Sequence, residues 1–160
     1  MTSLLTWISN TAFSTWLQES PSIWGFPLAL SLHTIGMGVL VGANWAVALR
    51  VLGLASGIPV ARMRPLFAVM WLGFWLNVVS GIVMFITHPV ERGTSPVFGF
   101  KMLVVALGMV TVARLGRQVD TAGDDPRVPT RATRLAWTSL VVWVAAVTAG
   151  RLVAYIGGNG

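Results

Sequence analysis

Cysteine is absent from this sequence, charge is scarce, and only two histidines occur in the whole chain. The missing cysteine excludes disulfides, thiolate metal sites, iron–sulfur clusters and covalently attached c-type haem. Charged residues make up 10% of the chain, against roughly a quarter in a soluble domain, so an ordinary water-soluble fold is excluded as well. The acidic residues Glu19, Glu91, Asp120, Asp124 and Asp125 all fall outside the apolar stretches. With no carboxylate, and no serine placed near a base, in those stretches, a hydrolase is not expected. A glycine-rich phosphate loop before a Lys-Ser/Thr is missing too, which removes the commonest nucleotide-binding signature.

What the chain does have is apolar length. Of 160 residues, 55% are hydrophobic, gathered into blocks of the ~20 residues that cross a bilayer as one helix. The expectation is an all-α membrane protein, a four-span antiparallel helix bundle with an amphipathic N-terminal helix. The net charge of +6 does not argue for nucleic acid, because the arginines lie between apolar spans, as membrane topology requires. Arginine outnumbers the single lysine ten to one, a bias that points to a GC-rich bacterial source.

Residues 1–20 form the first unit. Leu5, Ile8, Ala12 and Trp16 share one face, widened by Leu4 and Phe13, with Ser and Thr opposite. No basic leader or small-x-small cleavage site is present, so this reads as a helix lying in the membrane interface. Residues 21–160 form the second unit, with spans at about 23–49, 65–87, 97–114 and 134–156. Pro27 is placed to kink the first span near its start. Residues 50–64, 89–96 and 115–133 read as loops, and the closing Gly-Gly-Asn-Gly as a frayed end. Arg50, Arg62, Arg64, Arg114, Arg117, Arg127, Arg131 and Arg134 fall at one end of the spans, and only Arg92, Lys101 and Arg151 at the other. The basic-residue asymmetry predicts an inner-membrane protein with both termini periplasmic.

Two stretches answer each other within the spans. In SLHTIGMGVLVGANWAV (31–47), His33, Met37, Leu40 and Asn44 make one helical stripe. In WLNVVSGIVMFITH (75–88), Asn77, Gly81, Met84 and His88 repeat it in reverse. On antiparallel helices this pattern predicts His33 level with His88, Met37 with Met84, and Asn44 bonded to Asn77. Gly38 and Gly42 form a GxxxG that permits close helix contact.

Three functions follow from those stripes. The first is a membrane-embedded electron-transfer subunit, more a binding subunit than a stand-alone enzyme. It would hold one b-type haem between His33 and His88. Gly36 and Gly81 would let the macrocycle approach, and Lys101 and Arg151 would neutralise the propionates. A quinone or a periplasmic redox protein would be its partner. The second is copper(I) handling, since two imidazoles and two thioethers from His33, Met37, Met84 and His88 are a soft ligand set. The third is a cofactor-free structural subunit, a homo-oligomer or part of a larger membrane complex, in which the histidines only bond neighbouring helices.

Several segments also carry a family likeness. SLHTIGMGVLVG, the SGIVMF…SPVFGFKML join and SLVVWVAAVTAGRLVAY resemble a family of small bacterial four-helix membrane proteins of unknown function. That family is itself distantly similar to the membrane domain of copper-resistance protein D. The resemblance spans most of residues 22–156. It implies a multi-pass inner-membrane protein with a recurring first-span His (His33), a Lys opening the third span (Lys101) and a late Gly-Arg (Gly150-Arg151). The distant relative implies copper handling.

Overall fold

A computed structural model describes residues 2–19, 22–122 and 130–156, and among them helix is the only regular secondary structure. Four helices are long and apolar enough to cross a membrane: Phe26–Val51 (α3), Arg64–Thr87 (α4), Pro96–Ala122 (α6) and Thr130–Ile156 (α7). The chain is therefore a multi-pass all-α membrane protein. Between 17% and 28% of the most apolar stretch of each span is buried against the rest of the protein. In water so much exposed apolar surface would be untenable; in lipid it is solvated.

The helix ends follow local chemistry. α3 starts at Phe26, so Pro27 sits in its first turn, where the ring costs no hydrogen bond, and it does not kink the span. Gly53, at φ +103°, turns the chain after α3. A 3-10 turn, Val60–Met63, then leads into α4, with Pro65 again in the first turn. α4 stops at Thr87 because Pro89 keeps His88 out of helical geometry, and His88 adopts φ −138°, ψ 63°.

Three expectations change. The interfacial segment is two short helices, Thr2–Ser9 (α1) and Ala12–Glu19 (α2), rather than one. Residues 89–96 are not all loop: Pro89–Thr94 forms a short helix (α5), Pro89 serving as its first residue. The third and fourth spans extend well past their apolar cores, so that residues 115–122 and 130–133 are helical. Residues 123–129 and 157–160 lie outside the described residues.

α3 packs most extensively along α4, α6 along α7, and α3 along α7, while α4 touches α6 lightly. The core lies along these seams, around Leu40, Val47, Met70, Val112, Leu115 and Trp143. α1 and α2 fold over the end of the bundle where α3 begins. Ser14 donates to the Ile86 carbonyl at 2.8 Å, and Leu5 packs on Gly93, where a Cβ would come within 2.9 Å of it. Outward they expose Leu4, Trp7, Phe13 and Trp16, as an interfacial helix pair does.

The opposite end is built around arginine. Arg50 is 7% exposed and donates to the carbonyls of Ile58 and, at 3.1 Å, Ser56, which fastens the loop behind α3. Arg64 pairs with Asp120 across α4 and α6.

Candidate functional site

The α3–α4 crossing fixes what the two stripes can reach. Its closest approach is at Gly36 and Gly73. A Cβ on Gly36 would stand 2.7 Å from Asn77 Nδ2 and 3.0 Å from the Gly73 carbonyl oxygen. One on Gly73 would stand 2.9 Å from the Gly36 carbonyl oxygen. The space beside Gly36 is thus filled by α4 and offers no room to a macrocycle. A Cβ added at Gly38 or Gly42, the GxxxG pair, would meet nothing within 4 Å.

This crossing brings His33 level with Ser80 and Gly81. The faces are as the stripes predict, but the register differs by about two turns, roughly 12 Å along the helix. His33 Nδ1 lies 3.1 Å from Ser80 Oγ, and the ring covers Gly81, whose added Cβ would be 3.4 Å from Cε1. Ser80 spends its own hydroxyl proton on the Leu76 carbonyl, 2.6 Å away. Its oxygen is then placed to accept from an Nδ1–H of the imidazole. The sequence reading passed Ser80 over as a residue near no base. The i, i+3 spacing from Asn77 was the signal that could have shown it.

His88 is elsewhere. It is exposed, at the junction of α4 and α5, and lines a cleft of about 390 Å³ with Ser9, Gln18, Thr87, Pro89, Val90, Glu91 and Thr94. Seven residues of chain separate it from Gly81, about 10 Å of helical rise. Two imidazoles on one metal stand roughly 4 Å apart, twice a metal–nitrogen bond. One chain does not bring His33 and His88 together. Met37 is half-buried against the core, one turn deeper than His33, and Met84 lies on α4 nearly a turn beyond Gly81. The four proposed copper ligands are thus spread along the bundle. Among the described residues no three His, Cys, Asp or Glu side chains cluster as a metal site.

Comparison with protein-family models, curated proteins and solved structures finds no match.

Of the cationic residues, Lys101 approaches His33. Lys101 is half-buried in α6, within electrostatic range of the imidazole, with its Cε 3.9 Å from the Cβ position of Gly150 on α7. Arg151, next along α7, is exposed. Arg92 of α5 was not singled out in the sequence, yet it is half-buried, lies within range of Lys101, and donates to Thr87 Oγ1 at 3.0 Å. Burial pushes its guanidinium below the ordinary value and Glu91 draws it back; it remains charged.

The asparagines do not pair. Asn44 accepts a 2.8 Å hydrogen bond from Ser139 of α7, and Ser139 in turn lies 3.3 Å from Thr111 of α6. Asn77 donates back to the Gly73 carbonyl of its own helix at 3.0 Å.

Proposed function

We propose that the protein is a membrane-embedded electron-transfer subunit of a bacterial inner membrane, with His33 as the axial ligand to one b-type haem. The observation that carries the reading is the Ser80 hydrogen bond. A hydrogen-bond partner on one ring nitrogen that orients the imidazole is usual for a metal-ligating histidine, and Ser80 stands where it can serve as that partner. When bound, the haem would supply one-electron chemistry. The chain's own residues would do the rest. Ser80 and Gly81 hold the ring, and Lys101 offers a charge to a propionate. The apolar walls of α3 and α4 keep water from the ligand.

His88 has no part in this version, and neither does Gly36. A second ligand to the iron would have to come from another copy of the chain or from a partner subunit. The arginine asymmetry supports placing both termini in the periplasm and His33 toward the outer leaflet, so a quinone or periplasmic redox protein is the fitting partner.

An optical spectrum of the protein purified from a haem-replete host tests this. The expected result is a Soret band that sharpens on reduction, is lost in His33→Ala and is kept in His88→Ala. Colourless protein with stoichiometric copper would favour the copper reading. Colourless, metal-free protein that co-purifies with other membrane proteins would favour a structural subunit.

A further inference from the structure

The cleft at the junction of α4 and α5 gathers metal-binding groups that the His33 site does not use. It has a volume of about 390 Å³ and takes its walls from α1, α2, α4 and α5. Ser9 and Gln18 line it from the interfacial pair, and Thr87, His88 and Glu91 from the bundle. The docking of α2 closes it. Ser14, fully buried, donates to the Ile86 carbonyl at 2.8 Å, one of the carbonyls that the end of α4 leaves without a helical partner. His88 directly precedes α5, and Glu91 stands three residues on, in its first turn. Side chains at that spacing on a helix are neighbours, about 5–6 Å apart at Cβ. Both are exposed, and among the described residues neither makes a hydrogen bond or an ion pair through its side chain. Glu91 is felt by Arg92. That guanidinium is tied to Thr87 Oγ1 at 3.0 Å, however, and leaves the carboxylate oxygens open to the cleft.

An imidazole nitrogen and a carboxylate oxygen three residues apart on one side of a helix are a recurrent ligand pair for a divalent transition-metal ion. Gln18 offers a third donor from the facing wall. Its Nε2 is given to Ser14 Oγ at 2.9 Å, which leaves Oε1 as an acceptor. Charge favours a cation here as well. Glu91 in the wall and Glu19, exposed beside Gln18, are the only acidic residues of the chain outside residues 120–125. We propose that His88 and Glu91 bind a divalent transition-metal ion of the Zn²⁺ type, with Gln18 Oε1 as a third ligand and water completing the shell. The ion neutralises the carboxylate and joins α2 to α5 across the cleft. The site needs nothing from His33, Met37 or Met84 and so stands apart from both the haem and the copper readings.

The test titrates Zn²⁺ alone into the full chain in a mild non-ionic detergent and follows the heat of binding. Two histidines and no cysteine in the chain keep competing sites few. The expected result is a single ion per chain, bound about tenfold or more weakly in His88→Ala and in Glu91→Gln and equally well in His33→Ala. Glu91→Asp, which keeps the carboxylate, retains most of the affinity and so separates lost binding from lost folding. Cu²⁺ used as a spectroscopic probe of the same site is expected to show splitting from one nitrogen, absent in His88→Ala. Zn²⁺ binding that survives His88→Ala overturns the proposal, as does no binding by the wild type. Equal binding by Glu91→Gln and the wild type overturns it too, because the ion would then rest on an isolated surface imidazole. None of these outcomes touches the haem reading, whose Soret band follows His33 and not His88.

Discussion

Gly36 and Gly73 meet backbone to backbone, and that contact decides which residues of α3 and α4 stand at the same depth. Each glycine's missing Cβ would lie within about 3 Å of the partner's carbonyl oxygen. A methyl group at either position must push the helices apart or slide them. Gly73→Ala is expected to weaken the α3–α4 interface by about 1–3 kcal/mol, the usual cost of overpacking. Gly38→Ala and Gly42→Ala, facing open space, are expected to cost almost nothing. Unfolding by titrated denaturing detergent, comparing the three variants, checks this. An equal loss at Gly38 would mean that the crossing lies elsewhere.

Ser80 gives a sharper handle on the imidazole. Removing its oxygen takes away the hydroxyl beside Nδ1 and leaves the imidazole itself in place. Ser80→Ala is expected to lower affinity for a bound metal centre by 10–100-fold, the range for loss of an outer-shell partner, without abolishing it. His33→Ala is expected to abolish it. Haem or metal content after equilibrium dialysis separates the two. Identical behaviour of the variants would show that Ser80 merely packs.

Much of the architecture was legible before any coordinates. Long apolar runs bounded by arginines give spans directly, because only helices satisfy their own backbone inside lipid. The stripes also pointed the right way, since His33 does face α4. What the sequence could not give was depth. Sliding one helix past another by about two turns, some seven residues, returns the same face to the same neighbour. The facing stripes therefore fit equally well with His33 beside Ser80 or beside His88. Glycine contact decided it, and the sequence drew attention to the wrong pair. Gly38-x-x-x-Gly42 has the recognised spacing, whereas Gly36 and Gly73 are isolated glycines that acquire meaning only as partners. α5 was missed for a related reason. Pro89 ends α4 and opens the next helix, and a proline shows only the first of these in sequence.

The asparagine pairing failed through the same shift, and the actual partners make a prediction. Asn44, Ser139 and Thr111 link three helices in the bundle interior. Interhelical hydrogen bonds in membranes are worth ~0.6 kcal/mol on average, up to ~1.7. Asn44→Ala should cost more than that, because it also opens a cavity beside the fully buried Ser139. Ser139→Ala should cost about the bond alone. Asn77→Ala is expected to leave the α3–α7 contact intact. A double-mutant cycle on Asn44 and Ser139 checks the coupling, and strictly additive losses would show that the bond contributes nothing.

Arg50 supplies the last prediction, at the end of the bundle away from the candidate site. Its guanidinium is almost fully buried and holds two carbonyls of the loop that follows α3. The fork geometry matters, because Nε and Nη2 reach different residues at once, which a single ammonium cannot reproduce. Arg50→Lys is therefore expected to destabilise nearly as much as Arg50→Ala, by about 2 kcal/mol or more for lost bonds from a charged donor. Limited proteolysis within residues 52–59 should speed up in both variants while the Soret band or metal content is untouched. Wild-type proteolysis in Arg50→Lys would show that charge alone holds the loop.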